Sequence, residues 1–202
     1  MNVGVLASGA GTNLQALIDR AHGREDVWIV AVGSDKPDAP ALARARAAEI
    51  PCQAFSRERF PLRSARDRAI GAWLLEQGVE LVVLAGYLQL LDARFLGNFP
   101  DRVINVHPAL LPAFPGLNAV EQALDYGVKV FGVTVHFVDG GVDSGPVILQ
   151  RAVELPDARD SGEVLGRLHQ IEHELLVEAV LLIARGALSF DPANPRRVVV
   201  SR

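Results

Sequence analysis

Asn105 and His107 stand two residues apart at the end of a short apolar run, Val103 to His107, and Pro108 follows at once. On an extended strand, positions two apart share a face, so an amide and an imidazole project the same way and one reacting atom can meet both. Proline has no N–H to offer a ladder, so the strand is expected to stop at His107, near its carboxyl end. That edge is where open α/β sheets bind ligands. A carboxylate, Asp143, follows the Gly140-Gly141 pair in a later turn-rich stretch. Amide, imidazole and carboxylate together meet the needs of acyl transfer to an amine: donors for a developing oxyanion and a route for the ammonium proton. Asp143 beside His107 would favour the charged imidazolium. Each residue also has an ordinary reading, a strand-end histidine for His107 and a turn residue for Asp143; the combination is what points to chemistry.

A second candidate lies at the amino terminus. The apolar run Val3 to Ala7 enters SGAGTN, after which LQALIDRA shows apolar residues at helical spacing, with Thr12 or Asn13 as N-cap candidates. Strand, glycine loop and helix aim free N–H groups and a positive dipole end at one point, which suits a phosphate. No GK[ST] follows, so the loop is not a P-loop. Gly9 and Gly11 supply GxG, but Leu14 stands where a dinucleotide loop needs its third glycine, even though Asp35 could pose as a ribose-binding acid. A tight turn without a ligand is the bland alternative.

The elements that would position these groups read as α/β. Residues 38–49 suggest a helix ended by Ile50-Pro51, CQAF a short strand, and Pro61 to Glu76 a helix burying Leu62, Ala65, Ala69, Ala72 and Trp73, with Arg63, Asp67 and Arg68 on a solvated face and Arg66 at its edge. LVVLAG has the look of a central strand, and the apolar YLQLL after it is either one turn of packed helix or the wall of a pocket. AVEQALDY forms a helix closed by Gly127. KVFGVTVHFVD and PVILQRAVEL then form a hairpin-like pair around a loop of five or six residues, with His136 on its first strand. Asp160 and Glu163 resemble a capping pair opening a long amphipathic helix to Gly186, and the remainder offers at most a terminal strand.

Composition narrows the function. The chain has 202 residues, half of them hydrophobic, enough for one substantial core and a single domain, 1–202, with halves of about 1–100 and 101–186 and a tail 187–202. A formal charge of -4 and a pI near 5.7 leave no basic field of the kind nucleic-acid binding requires, so a small-molecule partner is favoured. The single cysteine, Cys52, excludes an internal disulfide and lacks metal-ligand spacing; it reads as a small packed residue. The amino terminus lacks a basic region and every apolar run is short, so the expectation is a soluble, cytoplasmic protein without membrane contact. His169 and His173 fit the HxxEH pattern of zinc proteases, but no third ligand is evident and no metal is expected.

SGAGTNLQALID, the Asn105-Val106-His107-Pro108 run with LLPAFPG behind it, and GVTVHFVDGGVDSGPVILQ together resemble the phosphoribosylglycinamide formyltransferase family, in order along residues 1 to about 186. The resemblance implies a Rossmann-like formyltransferase fold: a mostly parallel central sheet, an antiparallel carboxyl-terminal strand pair and helices on both faces. It implies formyl transfer from 10-formyltetrahydrofolate to the glycyl amine of glycinamide ribonucleotide, in de novo purine synthesis, by a monomer or homodimer without metal or nucleotide cofactor. Carried over residue by residue, Gly11, Thr12 and Asn13 match the ribonucleotide-phosphate contacts and Glu172 a ribose contact. Arg63 and the segment Leu88, Gln89, Leu90 and Leu91 match folate contacts, which favours the pocket-wall reading of YLQLL. Asn105 matches a folate-contacting, oxyanion-polarising amide, His107 the catalytic acid, Asp143 the carboxylate that supports that histidine's charge, and His136 a supporting residue.

Gln89, Ala109 and Asn118 depart from the family pattern, where arginine, serine and histidine are often found, and none of them touches the asparagine, histidine and aspartate set. Methionyl-tRNA formyltransferase shares the asparagine and histidine logic but normally adds a further domain and a basic tRNA surface. Formyltetrahydrofolate hydrolase carries an amino-terminal regulatory domain before this core. A non-catalytic phosphate-ligand binding protein would leave Asn105, His107 and Asp143 without a joint role.

Overall fold

A computed structural model describes Met1 to Ser201, in which the chain forms two compact units, Met1–Ile104 and Asn105 onward. In the first unit the elements run β1 (Asn2–Leu6), α1 (Thr12–Arg20), β2 (Trp28–Ser34), α2 (Pro40–Ala47), β3 (Cys52–Ala54), α3 (Arg63–Glu76), β4 (Leu81–Leu84) and α4 (Ala93–Asn98). β5 (Val103–His107) contributes Val103 and Ile104 to this unit and Asn105 to His107 to the next. The strands of the first unit are ordered β3-β2-β1-β4-β5, with β1 parallel to β2 and β4, and β2 parallel to β3. Continuous apolar runs suit strands covered on both faces, and Val3, Val5, Leu81, Val82 and Val83 are completely buried.

The second unit continues with α5 (Ala119–Tyr126), β6 (Val130–Phe137), β7 (Val147–Glu154), α6 (Ser161–Ala184), β8 (Leu188–Asp191) and β9 (Asn194–Val200), its strands ordered β5-β6-β7-β9-β8. β6 and β7 are antiparallel, as their alternation predicts. α6 packs on both strands, and its Val164, Leu168, Leu176 and Val180 are completely buried. The Asp160 carboxylate caps α6 by accepting the Glu163 N–H at 3.0 Å. No helix among the described residues is long and apolar enough to cross a membrane.

The structure departs from the sequence reading in several places. α1 is capped by Gly11, in the left-handed region at φ 71°, and neither Thr12 nor Asn13 caps it, because the glycine turn places the helix start one residue earlier. α3 begins at Arg63, which leaves Leu62 outside it and 69% exposed. Its buried face is Arg66, Asp67, Ile70, Gly71 and Leu74, since an internal ion pair lets charged residues occupy positions where apolar periodicity looks for alanine. YLQLL forms no helical turn, and α4 follows it instead, capped by the Asp92 side chain on Phe95 N. The β6–β7 connection occupies residues 138–146, longer than the alternation predicts because β6 stops at Phe137 and Pro146 donates no ladder bond. The tail is a hairpin of two antiparallel strands, β8 and β9, in place of a single terminal strand, because Asp191 to Asn194 turns the chain back on itself.

Candidate functional site

β5 brings Asn105 and His107 to its carboxyl end on one face, and the second unit gathers further polar groups around them. Asn105 Nδ2 donates to Asp143 Oδ1 at 3.3 Å and lies 3.2 Å from His136 Nε2. His136 Nδ1 is 2.8 Å from the Phe137 carbonyl, which can only accept, so Nδ1 carries a hydrogen, and Nε2 lies beside both Asn105 and Asp143, 3.5 Å from Asp143 Oδ1. His107 is 5% exposed, and its Nε2 likewise donates to the Phe114 carbonyl at 2.8 Å. Its Nδ1 faces Asp143 Oδ2 at 3.4 Å. The Gly116 N–H donates to the same Asp143 oxygen at 2.8 Å.

Burial alone would raise the Asp143 carboxyl. The His136 ring, the Gly116 N–H and the electrostatic pull of His107 and His136 together outweigh burial and hold the carboxyl down at about 2. Asp143 therefore stands as a carboxylate, linked to Asn105 on one oxygen and to His107 on the other. This cluster offers an amide donor, an imidazole and a proton acceptor within hydrogen-bonding reach of one another.

Two loops hold the cluster. In residues 108–118 the Leu111-Pro112 bond is cis, and Phe114 and Gly116 have φ 53° and 85°. The fully buried Thr134 hydroxyl donates to Ala109 O at 2.7 Å and accepts from Leu111 N and Gln150 Nε2, using its one hydrogen and both lone pairs. Gln150 also donates to Leu111 O at 2.8 Å. In residues 138–146 Asp143 itself has φ 48°, and Asp139 accepts from Gly141 N and Ser144 Oγ. A Cβ on Gly145 would meet the Phe137 carbonyl oxygen at 1.8 Å, so no side chain fits there. Sequence reasoning does not single out Phe114, Gly116, Thr134 or Gln150. The only local signal for the first two is the Phe114-Pro115-Gly116 turn chemistry.

The first unit holds the expected phosphate and folate contacts. By helix geometry the first N–H groups of α1 have no intrahelical acceptor, and Gly11 at the N-cap makes no side-chain cap bond. Thr12 and Asn13 stand at the positive end of the helix dipole. A Cβ at Gly11 would stand 2.8 Å from Ala41 Cα and Cβ, so α2 approaches the loop backbone directly. Arg44 fastens the loop by donating to Ala10 O at 2.8 Å and to Gln15 Oε1 at 3.1 Å.

Leu88 and Leu90 are 58% and 57% exposed, an apolar edge on an irregular segment. Its backbone is tied down from several directions. Leu88 N donates to the buried Ser8 hydroxyl at 3.0 Å, and Arg63 donates to Leu91 O at 3.4 Å. Gln89 accepts from Arg66 at 3.0 Å and donates to Asp35 at 3.0 Å. Arg66 in turn donates through Nε and Nη2 to Asp67, which is completely buried and accepts the Asp92 N–H at 3.0 Å. Burial pushes the Asp67 carboxyl up, and the Arg66 guanidinium only partly offsets it. Asp35, a possible ribose acid by its sequence position, is the partner of Gln89. Arg66 and Asp67, which helical periodicity puts at the edge of α3 and on its solvent face, are this segment's buried anchor.

Glu172 is 6% exposed on α6. His169 and His173 stack with ring centroids 6.5 Å apart, and among the described residues no three His, Cys, Asp or Glu side chains are grouped to hold a metal. Cys52 is a free thiol, half-buried, 3.7 Å from Leu42 O.

Residues 1–180 match the formyl transferase family model. The chain is 42% identical over 174 residues to the phosphoribosylglycinamide formyltransferase of Bacillus subtilis, covering 84% of this chain and 88% of that one. It is 43% identical over 180 residues to the enzyme of the same name from Mycobacterium tuberculosis, covering 89% and 83%. Among solved structures, glycinamide ribonucleotide transformylase 1 from Symbiobacterium toebii superposes with a TM-score of 0.95 at 44% identity, covering 100% of this chain and 94% of that one.

Proposed function

The chain belongs to the formyl transferase family, and from that premise we infer that it moves a formyl group from 10-formyltetrahydrofolate to the glycyl amine of glycinamide ribonucleotide, a step of de novo purine synthesis. The observation that carries this reading is the Asn105–Asp143–His107 cluster, in which an amide, a carboxylate and an imidazole are joined by direct contacts. We place the reaction in the cytoplasm.

In this reading the substrate amine attacks the formyl carbon, a C–N bond forms, and charge develops on the formyl oxygen. Asn105 supplies an amide N–H to that oxygen, exchanging its 3.3 Å contact with Asp143 for a shorter bond to a full negative charge. His107 adds a second donor from Nδ1, whose contact at 3.4 Å is the looser of its two; such bonds are often long in the free enzyme and tighten around substrate. Asp143, ionised and half-buried, accepts the proton that the new ammonium must lose. His107 then gives its Nδ1 proton to the donor nitrogen as the old C–N bond breaks, and it regains that proton through Asp143. The products are the formylated amine and the deformylated donor. His136 orients Asn105 from β6.

The N-terminal donors of Gly11, Thr12 and Asn13 take the ribonucleotide phosphate, and Glu172 its ribose. Arg63 and the Leu88 to Leu91 segment take the folate, Leu88 and Leu90 lying against its rings and Gln89 fixing the segment's course.

The test is to supply purified protein with 10-formyltetrahydrofolate and offer glycinamide ribonucleotide, water and methionyl-tRNA as competing acceptors. The expected result is release of tetrahydrofolate matched by formylated ribonucleotide. Equal release without the ribonucleotide would make the protein a hydrolase, and labelled tRNA would make it a different amine formyltransferase.

A further inference from the structure

The family match ends at residue 180, and every buried apolar side chain of the described residues lies at or before Val180. The β8–β9 hairpin therefore adds little to the core, yet it touches the 138–146 loop at three points. Where the chain enters the loop, Phe190 packs on Phe137 with ring centroids 5.2 Å apart. Where it leaves, Val147 pairs with Arg197 in the parallel β7–β9 ladder. Between these, Arg196 Nη2 donates to the Ser144 carbonyl at 2.7 Å, one residue beyond Asp143.

We propose that the β8–β9 hairpin is a clamp that holds the Asp143 loop in its working conformation, with Arg196 as its positioning residue. This rests on the role assigned to Asp143 above. The loop needs such help. Asp143 sits at φ 48°, where a non-glycine residue persists only if its surroundings over-determine the conformation. Its neighbour Ser144 is tied on the side-chain oxygen to Asp139, and Arg196 fixes the carbonyl oxygen of the same residue. With both ends of the loop held by Phe190 and the β7–β9 pair, the Ser144 peptide cannot rotate without breaking the Arg196 bond, and Asp143 keeps both oxygens on their partners. The hairpin has internal order to offer: Asp191 accepts from Ala193 N at 2.8 Å and Asn194 from Arg196 N at 3.1 Å, and Arg197 lies 3.7 Å from Asp191.

The test compares Arg196→Ala, Arg196→Lys and Phe190→Ala with the parent chain, each with and without Asp143→Asn, by steady-state kinetics for both substrates. Losing one loop-fixing hydrogen bond should lower kcat about fivefold in Arg196→Ala and leave both KM values within about twofold. Arg196→Lys keeps a donor for the Ser144 carbonyl and should recover most of kcat. Phe190→Ala should lower kcat in the same manner. In the Asp143→Asn background Arg196→Ala should have no further effect, because the clamp acts through that carboxylate. Parental kcat in Arg196→Ala, or an equal loss in both backgrounds, would overturn the clamp. If Asp143→Asn alone retained kcat, the assignment of Asp143 would fall and the clamp's purpose with it, whereas loss in Asp143→Asn with none in Arg196→Ala would overturn the clamp alone.

Discussion

The imidazole of His107 stands between two acceptors: its Nδ1 lies 3.4 Å from Oδ2 of Asp143, while Nε2 is bonded at 2.8 Å to the Phe114 carbonyl. Neither partner can donate, so both contacts are satisfied together only when the ring carries a hydrogen on each nitrogen. The Phe114 bond is the shorter one and holds the ring plane. The Asp143 contact is the looser, so the Nδ1 proton is the one available for transfer. This division of work, one nitrogen for orientation and one for chemistry, is the basis of the predictions below.

Replacing Asp143 with asparagine keeps the size of the side chain and suits the left-handed backbone at this position, since Asn tolerates positive φ better than other non-glycine residues. The variant should fold. It should also lose about 10²-fold or more in kcat, the usual range for removing a proton-transfer group, with smaller changes in both KM values. Steady-state kinetics beside a thermal melt separates this from misfolding.

The same substitution has a pH signature. Asp143 titrates at about 2 in the folded chain, below its ordinary value, so its ionised form contributes stability that is fully present above pH ~4 and is lost as pH falls towards 2. The contribution is about 2 kcal/mol. Urea melts should therefore show the parent more stable than Asp143→Asn by roughly that amount near neutrality, with the gap closing below pH ~3. A gap that widens in acid would contradict the ionised-carboxylate assignment.

Much of this is legible in the sequence because the relevant signals are local. Asn105 and His107 share a face by strand periodicity, and Pro108 marks where the strand must stop. Asp160 and Glu163 announce the start of α6, and the alternation of residues 130–137 and 147–154 announces an antiparallel pair. What is not legible comes from contacts that leave no pattern along the chain. Phe114 and Gly116 act through a carbonyl and an N–H, which every residue but proline possesses. Arg66 and Asp67 read as surface charge because hydropathy cannot see that they neutralise each other inside. The β8–β9 hairpin escapes sequence reasoning because its strands are short and half-exposed, and Arg196 reaches Ser144 through tertiary placement alone.

The buried network in the first unit yields two separable outcomes. Gln89→Leu removes both of its hydrogen bonds, to Arg66 and Asp35, and frees the Leu88 to Leu91 segment. With each bond worth about 1 kcal/mol, KM for the folate should rise by up to about thirtyfold while kcat and the ribonucleotide KM change little. Asp67→Ala instead strands the Arg66 guanidinium in a buried setting and should cost about 3–5 kcal/mol of stability, read from denaturant melts.

Gly11→Ala should be poorly tolerated for two reasons, a left-handed φ and a Cβ 2.8 Å from the Ala41 backbone. Overpacking of this kind costs about 1–3 kcal/mol, and the displaced loop should raise KM for the ribonucleotide more than for the folate. Equal effects on the two KM values would move the phosphate site away from α1.

The most direct test is His107→Ala, measured as kcat for formyl transfer to glycinamide ribonucleotide together with the dissociation constants of both substrates. Removal of the group that carries the mobile proton should lower kcat by about 10²–10⁴-fold and leave both dissociation constants nearly unchanged. A variant that turned over at close to the parental kcat would contradict the assignment of the chemistry to the His107–Asp143 pair.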